Sequence, residues 1–207
     1  MKKIGKKKNT GSGISTEEKI KEAARTVFMK KGYAATRTRD IVEEAGINLA
    51  LLNYYFRSKE KLFEMVMMEK MQKLLGGVDS IINDHATTLE KKIELITINY
   101  IDMLMQNPDL PIFVLSEIRN NSDHLVKTFQ FGNFLQHSVF FKQLQVNRPD
   151  VNPIHFVVNL LGATIFPFVG KPILLAVGNL SQPDFDTLME ERKKLIPQWI
   201  RAMLQTK

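Results

Sequence analysis

The 207-residue chain contains no cysteine, which excludes disulfides, thiolate nucleophiles and cysteine-ligated zinc, and fits a reducing, cytoplasmic setting. Its four histidines, His85, His124, His137 and His155, stand at neither HxxxH nor HExxH spacing, so no metal is expected. Serines and aspartates are scattered without a nucleophile elbow or triad signature, so neither enzymatic activity nor a cofactor is expected. No segment alternates apolar and polar residues in the manner of a strand, and the fold class expected is all-α, with about nine helices. Lysines open the N-terminus without an apolar run behind them, so it does not read as a secretory signal. The most apolar stretch, Ile154 to Gly178, is interrupted by His155, Asn159 and Lys171 and broken or kinked by Pro167 and Pro172. A membrane span needs about 20 consecutive apolar residues; this stretch reads instead as a helix buried in its own core and against a partner, with no membrane association.

Positive charge is abundant, and it is unevenly placed. Residues 1–75 carry 17 Lys+Arg against 9 Asp+Glu, whereas residues 76–207 carry 12 against 13. The excess therefore lies in the first part of the chain, which favours a polyanionic partner. Five of these lysines lie in residues 1–13, MKKIGKKKNTGSG, a segment expected to be a disordered basic tail. Two readings of that tail stand open: an arm trailing onto DNA phosphates or a minor groove, and a solubilising extension.

The stretch TRTRDIVEEAGINLALLNYYFRSK, Thr36 to Lys59, reads as two short helices about a tight turn. Thr36 is a plausible N-cap for the first, whose Ile41, Val42 and Ala45 lie on one side. Gly46 can take positive φ and end it, Ile47 can tuck beneath the turn, and Asn48 can cap a second helix over Leu49 to Tyr55. Such a pair is either an ordinary helical corner or a helix-turn-helix, whose second helix fits a DNA major groove. Upstream lies a capping box at Ser15 and Glu18, opening a helix to about Lys31 with Ile20, Ala24, Val27 and Phe28 as its apolar stripe, ended by Gly32. The run from Glu18 to Val66 resembles the N-terminal domain of the TetR (tetracycline repressor) family of bacterial transcriptional regulators. The resemblance is carried by Ala-Ala…Phe…Lys-Gly-Tyr at the end of the first helix, Thr36 and Thr38, Arg39-Asp40-Ile41, Ala45-Gly46-Ile47, and aromatic-Phe-x-Ser-Lys-Glu.

DNA recognition needs donors for phosphate, a slim helix end, and side chains matched to base edges. Arg37, Thr38 and Arg39 can grip phosphate with side chains and backbone amides. On the second helix, Asn48, Leu49, Ala50, Leu51 and Asn53 face outward if Ile47, Leu52 and Phe56 face in. Asn53 can pair with adenine, while Leu49, Ala50 and Leu51 can meet thymine methyls. Tyr54 and Tyr55 can offer hydroxyls to phosphate, Tyr55 being the one of these candidates for which a core role is the nearest alternative. Lys59, at the start of the next helix, can add its charge to a helix N-terminus. The resemblance implies DNA contact at positions 38, 39, 48 to 51, 53 to 55 and 59. The family usually has Tyr where Asn53 stands and often His where Tyr55 stands, which puts the phosphate roles of those two in doubt.

Three segments are expected: the tail at 1–13, a helix-turn-helix domain at 14–58, and a helical effector-binding and dimerisation domain at 59–207. Ser58 can cap a long helix to about Leu75, ended by Gly76-Gly77; by resemblance it joins the head to the body and transmits the ligand signal. Further helices are expected over Leu89 to Gln106, Leu110 to Arg119, Asp123 to about Asn147, Ile154 to Gly178, and Pro183 to Gln205. Tyr100, Met103, Phe113, Phe131, Phe134 and Phe141 at helical spacing read as core. The resemblance implies an apolar cavity among such residues for a small hydrophobic or amphipathic effector, with His137 or Asn159 supplying a polar contact. It also implies a four-helix dimer interface from the last two helices of each subunit, placing Phe166, Phe168 and Trp199 in or near it. The reading favoured is a homodimeric, ligand-responsive transcriptional regulator, acting as a repressor on a palindromic operator in double-stranded DNA. Two others stay open: a helical enzyme or small-molecule carrier, and an architectural DNA binder using its tail.

Overall fold

The computed structural model describes residues 15–129 and 131–206, with side-chain placement outside 120–133. The expected tail at 1–13 and the side chains of His124 and Phe131 therefore lie outside the described residues. Among the described residues every regular element is an α-helix, and there are eleven: α1 Thr16–Ala35, α2 Thr38–Ala45, α3 Leu49–Phe56, α4 Lys59–Asn83, α5 Leu89–Gln106, α6 Leu110–Phe129, α7 Phe131–Gln136, α8 Val139–Asn147, α9 Pro153–Val169, α10 Lys171–Gly178 and α11 Gln182–Gln205. The chain divides into two compact units, Met1–Val66 and Met67–Lys207, so the division falls inside α4.

In the first unit, α1 begins as the capping box requires, Ser15 Oγ accepting the Glu18 amide at 3.1 Å. Ile20, Ala24, Val27 and Phe28 are buried. Gly32 takes φ 71°, and the helical assignment carries across that kink to Ala35. Thr36 is not the N-cap of α2. It is buried at the end of α1, with its hydroxyl donating to the Gly32 carbonyl at 2.7 Å, and α2 starts from Arg37. The Phe28 ring meets Phe63 edge-on at 5.0 Å, and Tyr33 lies 4.8 Å from Phe63. This aromatic cluster ties the end of α1 to the start of α4.

In the second unit, α5 packs against α8, α9 and α11. Its Ile93, Ile96, Ile101 and Leu104 meet Phe156 and Leu160 of α9 and Phe185, Met189, Ile196 and Ile200 of α11 in one buried cluster. The loop before α5 is held by a buried lysine: Lys92 Nζ donates to the Thr87 carbonyl at 2.8 Å, to Thr87 Oγ1 at 2.6 Å, and to the Asp84 carbonyl. Burial pulls the Lys92 pKa down from its ordinary value, and the nearby Asp84 carboxylate works against that pull.

Four boundaries differ from the sequence expectation. Helix α4 does not stop at Gly76-Gly77 but continues to Asn83. Gly77 lies so close to the Asn99 amide of α5 that an added Cβ would stand 2.6 Å from it, so this glycine admits a neighbour rather than ending a helix. Helix α6 runs past Arg119 to Phe129, and the single helix expected over Asp123 to Asn147 is divided among α6, α7 and α8. Ser138 makes the last break, its Oγ accepting the Phe141 amide at 3.1 Å. The stretch Ile154 to Gly178 bends by 72° between α9 and α10. Pro167 stays inside α9, and the bend falls at Gly170, just before Pro172. No single helix among the described residues is long and apolar enough to cross a membrane.

Deleting the Phe28 ring leaves a void beneath Phe63 that α1 and α4 cannot both close. Phe28→Ala should destabilise the first unit by about 3–5 kcal/mol, read as a lowered midpoint in denaturant unfolding.

Candidate nucleic-acid interface and ligand cavity

The joint between α2 and α3 is fixed by backbone geometry. Gly46 sits in the left-handed region at φ 64°, its amide donating to the Glu43 carbonyl at 3.2 Å, while the Ile47 amide reaches the Val42 carbonyl at 3.1 Å. These two bonds satisfy the last carbonyls of α2 and turn the chain in one residue. Asn48 then opens α3, its Oδ1 accepting the Leu51 amide at 2.9 Å. The start of α2 is held by Asp40, which accepts the Arg37 amide at 2.8 Å and pairs with Lys31 of α1 at 3.0 Å. The Arg37 amide, and then the Lys31 ammonium, hold the Asp40 carboxyl below its ordinary range.

Helix α3 is anchored by Leu52, which is 0% exposed. Ala50 and Asn53 are exposed, together with Leu49, Leu51, Tyr54 at 80% and Tyr55 at 40%. Tyr55 is therefore a surface residue, as a contact role requires; the turn of α3 carries it beside Tyr54, ring to ring at 5.2 Å. Arg37 and Arg39 are exposed and Thr38 is half-buried at the first turn of α2. Lys59 is half-buried, with Nζ donating to the Thr36 carbonyl at 2.9 Å and the Tyr33 carbonyl at 3.1 Å, 4.0 Å above the Tyr33 ring. Its ammonium closes the C-terminal end of α1. Glu60 beside it accepts the Tyr33 hydroxyl at 2.8 Å. Arg57, which the sequence reading passed over, adds an exposed cation just after α3. A short helix that presents four large apolar or aromatic side chains, flanked by exposed Arg37, Arg39 and Arg57, is suited to a groove with methyl-bearing bases and phosphate walls.

The second unit holds a cavity of about 560 Å³ lined by α4 (Met71, Leu74, Val78, Ile82), α5 (Ile96, Tyr100, Leu104), α6, α7, α8 and α9 (Leu160, Leu161, Ile165, Phe166). Of the residues expected at an effector site, Tyr100 and Phe134 line it. Met103 and Phe113 do not, being packed in the helical core. His137 lines a different, polar recess of about 790 Å³ beside Arg148 and Asp150. Asn159 is exposed on α9, its amide 3.9 Å from Met203 Sδ. Among the residues expected at a dimer face, Phe166 is 63% exposed and Trp199 is also exposed, with the Arg192 guanidinium 5.3 Å over its ring. Phe168 points the other way: it is 4% exposed and packs edge-on against Phe185 at 5.8 Å, because it falls on the core stripe of α9 with Leu160 and Thr164.

Residues 20–66, from α1 through the first turns of α4, match the family described as bacterial regulatory proteins, tetR family. The head, residues 20–66, belongs to the TetR family. Over 204 residues it is 24% identical to the "Probable HTH-type transcriptional regulator YttP" of Bacillus subtilis, covering 93% of this chain and 96% of that one. It is 30% identical over 119 residues to the HTH-type transcriptional repressor KstR2 of Mycolicibacterium smegmatis, covering 51% of this chain and 58% of the relative. The fold is shared with a TetR-like transcriptional regulator from Rhodococcus sp. RHA1, at a TM-score of 0.64 and 14% identity over 92% of this chain and 97% of that one. A TetR-family member is a DNA-binding transcriptional regulator rather than an enzyme, and the α2–α3 pair is its helix-turn-helix.

Two predictions concern the TetR head. Lys59→Ala removes the ammonium donor from the Tyr33 and Thr36 carbonyls at the end of α1 and should lower stability by about 1–2 kcal/mol, measured by denaturant unfolding. The second concerns Asp40, whose folded pKa is depressed below its ordinary 3.8. Its stabilisation is present above that value and lost as pH falls through the folded one. Between roughly pH 5 and pH 3 the thermal midpoint of the native chain should therefore fall more than that of Asp40→Asn.

Proposed function

We propose that the protein is a ligand-responsive repressor that binds a palindromic operator as a homodimer and releases it when a small hydrophobic or amphipathic effector occupies the second unit. The observation that carries this reading is the apolar cavity of about 560 Å³ in a chain whose first unit is a DNA-reading head. A cavity of that size would be filled by side chains if packing density alone were selected; pockets that hold small molecules fall in the same range. Repression is the role named for the KstR2 relative.

The dimer reading is supported by the apolar face made of Ile154, Val158 and Phe166 on α9, Ile173 and Val177 on α10, and Trp199 on α11, all exposed. Two copies of one face related by a two-fold axis would cover it and pair the heads. Half-sites should then lie about one helical turn, or a multiple, apart. Arg37, Thr38, Arg39, Lys59 and the hydroxyls of Tyr54 and Tyr55 would hold phosphate, while Leu49, Ala50, Leu51 and Asn53, with Asn48 at the helix start, would face base edges. A regulator of this kind works beside DNA, in the bacterial cytoplasm.

Selection of bound sequences from a random duplex pool at near-physiological salt should recover an inverted repeat, with affinity falling steeply as salt rises. Asn53→Ala should change the recovered bases, whereas Lys59→Ala should weaken every duplex to a similar extent. An unenriched pool from folded protein, or a matching shift in both variants, would contradict this assignment.

A further inference from the structure

We propose that the cavity of the second unit takes an uncharged, predominantly hydrocarbon ligand bearing one hydrogen-bond-accepting oxygen, such as a long-chain alcohol, ketone or ester, seated by the Tyr100 hydroxyl. This rests on the reading of that cavity as the effector site.

Among the described lining residues, Tyr100 supplies the only side-chain oxygen or nitrogen; the rest are aliphatic, aromatic, methionine, proline or glycine. No lysine, arginine, histidine, aspartate or glutamate lines the cavity among them. Tyr100 is 5% exposed, lies between Ile96 and Leu104 on the inward stripe of α5, and donates to no group among the described residues. A phenol on the cavity wall that donates to no described protein group has its donor available to an accepting ligand atom. Burial alone pushes the phenol up to about 12, so at every physiological pH it is a neutral donor and never an anion that would attract a cationic head.

The same lining discriminates against ions. Among the described lining residues a carboxylate or ammonium would find at most one neutral hydrogen bond and no counter-charge, and losing water for that costs far more than a hydrocarbon wall returns. A neutral oxygen gives up much less hydration and gains the Tyr100 hydroxyl as a donor. The polar recess beside His137 is no substitute for such a head: its Arg148 is already committed to Asp150 and to the Met203 and Thr206 carbonyls at the end of α11.

The test uses the full chain and displacement of the neutral dye Nile red by 1-dodecanol and by dodecanoate, which share a chain length and differ in head charge. Dodecanol should displace the dye at least tenfold more effectively at neutral pH. Tyr100→Phe, which keeps the ring and removes only the hydroxyl, should weaken dodecanol by roughly five- to tenfold and leave Nile red unchanged. Dodecanoate binding as tightly as the alcohol, or dodecanol indifferent to Tyr100→Phe, would overturn the inference while leaving the cavity as a ligand site. A different failure marks the underlying reading: Nile red that does not bind, or binds equally well to Val157→Trp, in which the cavity wall is filled, would show that the cavity is not an effector site.

Discussion

Helix α3 buries one side chain completely, Leu52, and half-buries Phe56, while its other residues face out. One such side chain contributes on the order of 1.5–3 kcal/mol, too little to hold an eight-residue helix that would be marginal alone. The first unit is arranged around supplying what α3 lacks. Its entry is set by the left-handed turn at Gly46 and the cap at Asn48. Its platform is set by Phe28, Tyr33 and Phe63, which bind α1 to the start of α4. Lys59 and Glu60 add polar closure on Tyr33 and Thr36. A helix held from outside in this way is free to spend its own surface on a ligand, and that surface is unusually apolar for a solvent-exposed one.

Lys59 shows how one residue can serve two ends. An ammonium at the first turn of α4 reads as a phosphate donor by charge and helix dipole. In the structure two of its donors already close α1, which ties any electrostatic role to the integrity of the head. The second unit uses a related device at Lys92, where a buried ammonium staples the loop before α5 through three oxygens. Both lysines donate to carbonyls at the ends of helices or in the loops beside them, and neither is a solvated surface charge.

The cavity and the exposed face of the second unit follow from how α9 is used. Thr164 and Phe168 fill the core, Leu160 belongs to the core and lines the cavity, Leu161 and Ile165 line the cavity, and Val158 lies outward. Phe166 does both, lining the cavity while remaining largely exposed. A helix apolar on all sides cannot satisfy every face within one core of this size, so some of that surface stays outside the core.

The sequence by itself determined the all-α class, the helix-turn-helix and its family, because caps, a left-handed glycine and a 3.6-residue stripe are local signals written within a few residues of where they act. Ser15, Gly46, Asn48, Ser58 and the limits of α5 were all legible in that way. Tertiary structure decided what local signals cannot carry. Gly77 sits mid-helix because Asn99 approaches it; Thr36 finishes one helix rather than starting the next because Gly32 offers it a carbonyl; and the helix expected over Asp123 to Asn147 breaks where Ser138 caps α8. The lining of the cavity was illegible for a related reason. An apolar residue beside an empty space and one beside a packed neighbour follow the same period, and only the folded arrangement separates Tyr100 and Phe134 from Met103 and Phe113, or Phe166 from Phe168.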